Sequence, residues 1–266
     1  MNRTLVAALM VVSSSCATFN RADAERTVAE VLVSDDQEFQ LGLQVHEELK
    51  KENVKFSENQ QVGLYVEQMA RKITEQANKD RANVTWQYFV IDDPKTVNAF
   101  ATPGGRVYVY TGLLLAAESE AEIMGVLGHE IGHVVGRHSA RQLVAAKGLD
   151  VVASMALGKQ ANEVASLVAQ LTGQGTMLAY GRGMELEADE YGARYSNGAG
   201  YDPHGLSSFF QKLAAKEGNP GILVWLSTHP ASSERVEKIN AYITANGLTG
   251  SNLGTAELKA TQKALK

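Results

Sequence analysis

Residues 129–138 read HEIGHVVGRH, three histidines and a glutamate within ten positions. Histidines four apart project from one face of an α-helix, one turn apart, so His129 and His133 can reach the same ion. Imidazole nitrogens are good zinc ligands. Glu130 is rotated by about 100° from His129, which sets it beside a metal rather than on it, in the position of a general base for metal-assisted hydrolysis. Zinc needs at least one more protein ligand. In the longer pattern HExxHxxGxxH that ligand is a third histidine three residues after a glycine. Gly136 fills the glycine position, but Ser139 stands where the ligand should be, and the histidine comes one residue early as His138. On a continuous helix His138 is turned about 180° from His129 and about 140° from His133. It therefore reads as a surface or helix-end residue, with Gly136 as packing space on a helix that runs on toward Ala146.

The missing ligand can come from ELEAD, residues 185–189. Glu185 and Asp189 are i, i+4 and share a helix face, while Glu187 is rotated by about 200° and Glu190 by about 140° from Glu185. Ala188 and Gly192 keep that face small enough to press against the HEIGH helix. Alone, this would be an exposed acidic face; paired with HExxH, it makes Glu185 the third ligand. Asp189 is then placed to accept a hydrogen bond from the free ring nitrogen of a metal-bound histidine and so fix its tautomer.

These residues need a scaffold, and the periodicity predicts one that is mainly helical. Phe39, Leu43, Val45 and Leu49 mark a helix over 35–51 capped by Ser34, and Val62, Tyr65, Val66, Met69 and Ile73 mark another within 58–78. VTWQYFVI (84–91) and RVYVYT (106–111) read as strands, the second entered through the turn Pro103-Gly104-Gly105. Ser119 and Glu122 form a capping box ahead of the HEIGH helix. Residues 149–180 read as helix broken near Gly173 and Gly175, and 184–195 as a helix carrying ELEAD. Pro203 marks another helix start, and Ser232 or Ser233 caps a last one after the Gly218–Gly221 loop. The fold class is α+β, one mainly helical domain over 35–250 with a small β-sheet beside the metal-bearing helix, and a polar tail of little structure over 251–266.

The chain has 266 residues, 44% hydrophobic and 21% charged, with a net charge of −5 and dispersed basic residues. That composition gives no reason to expect nucleic acid. Residues 1–15 have a basic residue, Arg3, an apolar run, Leu5–Val12, and small residues before Cys16, the pattern of an export signal. Cys16 is the sole cysteine. It resembles the acylated cysteine of a bacterial lipoprotein, which would make 16–34 a tether to the membrane. Ser13 departs from the usual leucine there, so cleavage of a plain signal peptide after Ala17 stays open. Ala17, in place of an inner-membrane retention Asp, points to the outer membrane. The expected location is the periplasmic face of a bacterial envelope.

Four ordered blocks, VNAFATPGGRVYVYTGLL, the HEIGH helix, ELEADEYG and STHPASSER, together resemble the HtpX-like and CAAX-prenyl-protease-like zinc metallopeptidases of peptidase family M48. The resemblance implies a zincin-like domain of the gluzincin type, with one Zn2+ per chain held by His129, His133 and Glu185 and with Glu130 as base. It implies that His229 and Arg235 face the metal and stabilise an oxyanion. It also implies a substrate-binding edge formed by Asn98, Ala99 and Phe100 with Val107, Tyr108 and Val109. The membrane helices of HtpX are lacking, so the expected type is an exported, lipid-anchored endopeptidase of misfolded or unassembled envelope proteins. The alternative is an envelope assembly or chaperone-like factor whose zinc is capped by His229.

Overall fold

Two amphipathic helices precede the sheet in the computed structural model, which describes residues 33–172, 180–215, 224–227, 229, 230 and 232–265. The export signal, Cys16, Gly173, Gly175 and the Gly218–Gly221 loop lie outside the described residues. Ser34 caps α1 (Asp35–Lys51) as expected, in a reciprocal box with Gln37. Its buried stripe is Leu41, Val45 and Leu49, a spacing of four, rather than the face through Phe39 and Leu43. Asn59 caps α2 (Gln60–Ala77), which buries Val62, Val66, Met69 and Ile73.

The sheet has the order β1 (Gln87–Ile91), β3 (Arg106–Tyr110), β2 (Ala99–Thr102), with β1 parallel and β2 antiparallel to β3. Gly104 and Gly105 turn the β2–β3 hairpin at φ +78° and +95°, backbone that glycine adopts without a steric penalty. Side chains alternate between faces, as strands require. Ala99, Ala101, Val107 and Val109 enter one core with α2, while Phe100, Tyr108 and Tyr110 enter a second with α1. The central strand is therefore β3, with Tyr108 opposite Phe89 on one side and Phe100 on the other. Val107, Tyr108 and Val109 cannot form a substrate-binding edge, because both of their backbone edges are taken. The outer strand is β2, whose second edge pairs with no strand among the described residues.

After a short helix, α3 (Thr111–Ala116), comes α4 (Glu120–Val135), all 16 of whose residues are buried. A helix without an exposed face is a central helix. Ser119 caps it, accepting from Glu122 N at 3.3 Å, but the Glu122 carboxylate reaches Glu118 N at 2.9 Å rather than the cap residue itself. The helix does not run on to Ala146. It ends at Gly136, Arg137 takes the left-handed conformation at φ 55°, and α5 (His138–Lys147) starts afresh. Next come α6 (Leu149–Ala156) and α7 (Ala161–Leu171), which break at Leu157–Gln160, earlier than the glycines at 173 and 175 suggest. Both pack with α1 in the second core.

Helix α8 (Arg182–Gly198) carries ELEAD and packs along α4; α9 (Gly205–Ala214) and α10 (Ser233–Ala245), capped by Ser232, complete the first core. Residues 255–264, expected to belong to a tail of little structure, form α11 (Thr255–Ala264). Leu258 is buried there, and Gln262 donates to the carbonyls of Leu114 and Ala117, so the segment is part of the domain.

Glycine lets α4 and α8 meet backbone to backbone: a Cβ on Gly128 would lie 2.9 Å from the Gly192 Cα, and one on Gly192 would lie 3.1 Å from the Gly125 carbonyl oxygen. Gly192→Val should therefore wedge the helices apart and cost about 1–3 kcal/mol, the usual range for overpacking. A thermal melt equal to that of the parent protein would refute this account of the contact.

Candidate metal centre

The close approach of α4 and α8 sets Glu185, in the first turn of α8, against the α4 face that carries His129 and His133. His229 enters from the segment after the helical turn 224–227. One ligand atom from each of these four buried residues lies within 4.8 Å of every other, the one such cluster among the described residues. His129 Nε2 is 3.1 Å from His133 Nε2 and 3.2 Å from His229 Nδ1. Glu185 Oε1 is 3.0 Å from His229 Nδ1 and 3.5 Å from His133 Nε2. Lone-pair donors crowded in this way need a cation among them. Neighbouring ligands on tetrahedral zinc are about 3.3 Å apart, given bonds of about 2.0–2.1 Å. The donor set and its spacing thus fit zinc.

Burial and the neighbouring rings of His129 and His138 hold His133 well below the ordinary histidine value, so it stays neutral and keeps a lone pair. Burial acts to raise Glu185, but His229, His129 and Arg235 outweigh it and hold that carboxyl at about 2. Burial likewise acts to lower His229, and the Glu130 and Glu185 carboxylates together raise it instead.

Glu130 is next to the cluster but outside it. Its Oε1 accepts from Trp225 Nε1 at 3.1 Å and lies 3.4 Å from His229 Nε2. His129 Nδ1 is 3.0 Å from Asp189 Oδ1, the separation expected for a tautomer-fixing carboxylate, though off the line of a well-directed hydrogen bond. Arg235 does not stand free to meet an oxyanion. Its Nε and Nη2 donate to Asp189 at 2.8 and 2.6 Å, and Nη1 donates to the Pro230 carbonyl and lies 2.8 Å from Glu185 Oε2. It clamps Glu185 and Asp189, two of the three carboxylates of ELEAD, which corrects the expected role.

His138 is outside the cluster, as its spacing suggested, but it is neither exposed nor turned away. The break at Arg137 folds its ring back under α4, fully buried, with Nδ1 2.8 Å from His133 Nδ1. A Cβ on Gly136 would overlap that ring, so the glycine makes room for His138. Tyr180 and Trp225 carry no spacing signal and were not foreseen. Tyr180 stacks on His133 at 4.1 Å between centroids and bonds the Ser139 hydroxyl.

A cavity opens beside the cluster, walled by Phe100, Leu143, Leu167 and Leu171 and reaching Glu130 and His229. Phe100 and Ala101 put β2 on its wall. Asn98 is not open to a substrate, because it is buried and its amide donates to the Leu171 carbonyl at 3.2 Å, tying the start of β2 to α7. Val107, Tyr108 and Val109 are absent from this wall.

The model of peptidase family M48 matches residues 57–243, a span that includes the sheet, the cluster and the clamp. The chain belongs to peptidase family M48. It is 34% identical to the mitochondrial metalloendopeptidase OMA1 of Schizosaccharomyces pombe over 68% of this chain and 52% of that protein. It is 33% identical to the metalloprotease LoiP of Escherichia coli over 67% of this chain and 72% of that protein. It is 29% identical to the beta-barrel assembly-enhancing protease of Yersinia pestis over 65% and 37%. The chain thus spans about half the length of the first of these relatives. The fold is the zincin-like metalloprotease domain of the family, and its metal is zinc.

Since Arg235 is the guanidinium shared by Asp189 and Glu185, Arg235→Met leaves two buried carboxylates without it. In chelator-treated protein this should lower stability by about 3–5 kcal/mol, as breaking a buried pair does. Urea unfolding gives the number, and a loss under about 1 kcal/mol would show that the clamp contributes little.

Proposed function

We propose that this protein is a zinc-dependent endopeptidase, and the observation that carries the proposal is Glu130 beside a buried His129–His133–Glu185–His229 cluster at the end of an apolar cleft. When bound, zinc supplies a Lewis acid that polarises a scissile carbonyl and acidifies water. His129, His133 and Glu185 would hold it. Glu130 takes the proton from water at its carboxylate and returns it to the leaving amine. Asp189 and Arg235 position His129 and Glu185. An extended substrate can set an apolar side chain in the cavity among Phe100, Leu143 and Leu167, beside the buried strand β2. An apolar pocket beside the base suits the exposed apolar side chains of unfolded chains.

The substrates we propose are misfolded or unassembled envelope proteins, in keeping with a relative named for β-barrel assembly. The export pattern of residues 1–15 supports an envelope location, with anchoring through Cys16 at the outer membrane. No helix among the described residues is long and apolar enough to cross a membrane.

Glu130→Gln should lower cleavage of an unfolded protein by roughly 10²–10⁴-fold, and chelator should stop the parent enzyme, as followed by peptide release. Equal rates for parent and variant would reject the mechanism.

One observation favours a resting state with little activity. His229 Nδ1 stands among the candidate ligand atoms while its Nε2 faces Glu130, so a single ring would serve as a fourth ligand to a bound metal and lies beside the base. Such a closed four-ligand site is also what a structural zinc in an assembly factor would need. His229→Ala, with zinc retained, should raise peptidase activity. Full zinc occupancy without any gain would favour the assembly factor.

A further inference from the structure

A zinc-bound imidazole is oriented through its other ring nitrogen, which usually donates to a carboxylate or a carbonyl. His133 presents Nε2 to the cluster, so as a ligand it carries its proton on Nδ1. That nitrogen meets neither kind of oxygen; it faces His138 Nδ1 at 2.8 Å. Two ring nitrogens so close can share one hydrogen only. With the proton on His133, His138 Nδ1 must be bare and accept. The proton of a neutral His138 then sits on Nε2, where Glu187 Oε2 lies at 3.1 Å. A single tautomer assignment satisfies both contacts, and the carboxylate at the far end selects it.

Three features serve no evident purpose except to put His138 there. Helix α4 stops two residues after His133, Gly136 leaves the space that the ring occupies, and Arg137 accepts a left-handed backbone. That conformation costs roughly 1–2 kcal/mol for a residue with a Cβ. It is held by Arg137 Nε donating to Glu38 at 3.2 Å and by Nη2 donating to the Val33 carbonyl. Glu38 also pairs with Arg81, whose Nη1 donates to the Val134 carbonyl at 2.7 Å. The break is built and braced from α1.

We propose that His138 and Glu187 are positioning residues for the ligand His133: Glu187 fixes the tautomer of His138, and His138 holds His133 with Nε2 bare and aimed at the ion. The proposal rests on the zinc centre inferred above. His129 has its carboxylate, Asp189, directly. For His133 the carboxylate is on another face of α8, and an imidazole spans the gap.

The test is zinc affinity of the full chain, measured by competition with a chelator of known affinity, together with the visible spectrum of the Co2+-substituted protein. His138→Ala should weaken zinc binding by roughly 10- to 100-fold and alter the cobalt bands. Glu187→Ala should shift affinity in the same direction. His138→Asn should recover part of the loss, since its amide oxygen can take the place of Nδ1 and its NH2 can face Glu187. Parental affinity and cobalt spectrum in folded His138→Ala would overturn the proposal. So would His138→Asn binding no better than His138→Ala, which would make the ring a packing element. If His138→Ala does not fold, His138→Asn and Glu187→Ala decide: parental zinc affinity in folded Glu187→Ala would count against the relay. Failure of the parent protein itself to bind zinc would remove the metal centre, and the relay with it.

Discussion

Everything at the metal centre depends on how closely α4 and α8 approach. A carboxylate has a short reach, and Glu185 can join two histidines on another helix only if the two backbones nearly touch. Gly128 and Gly192 supply that contact, with Ala188 against Gly132 a turn away. The same contact puts Asp189 3.0 Å from the far nitrogen of His129. A ligand and a positioning residue are thus set by one helix packing, and any change in the separation moves both together. This explains why α4 has no exposed face: a helix that must be approached so closely on one side is fixed by protein on the others.

The sheet plays a different part. By separating two cores it holds β2 over the cleft with one backbone edge paired to β3 and the other unpaired among the described residues. The α6–α7 pair, on the second core, brings Leu167 and Leu171 to the cleft wall and is joined to β2 through Asn98. The pocket beside Glu130 therefore borrows its walls from elements far apart in sequence. The first core carries the metal, and the second shapes the space that a substrate would enter.

Much of this was legible in the sequence, for a physical reason in each case. HExxH and ELEAD are i, i+4 pairs, and helical geometry fixes what such pairs can share. Ser34, Ser119 and Ser232 announce helix starts because a hydroxyl satisfies a backbone N–H that the helix cannot. The errors lay where local rules give no direction. Projecting His138 as though the helix were unbroken failed because Arg137 enters a conformation that its own side chain disfavours, and it does so by contacts with Glu38 and Val33 about 100 residues away. β2 is four residues long, two of them alanine, and is a strand only because β3 pairs with it. Arg235 was expected to face a substrate, whereas its partners, Asp189, Glu185 and Pro230, become neighbours only through tertiary packing. α11 has a polar sequence and a single fully buried leucine, too little apolar content to signal a docked helix.

Charge balance ties the site together. Glu130, Glu185 and Asp189 are buried side by side, and among the described residues the guanidinium of Arg235 is the permanent cation that contacts Glu185 and Asp189. Three carboxylates against one guanidinium leave two negative charges in a region where unpaired charge is costly. Mutual repulsion would open the group to water unless something of charge two occupies its centre. A divalent cation meets that requirement and leaves the histidines neutral, as ligands must be. In its absence His229 is the ring whose affinity for a proton is raised, by Glu130 and Glu185. The carboxylates that would surround the ion thus favour positive charge at that same place. A single proton on His229 would offset one of the two excess negative charges, whereas a divalent ion offsets both.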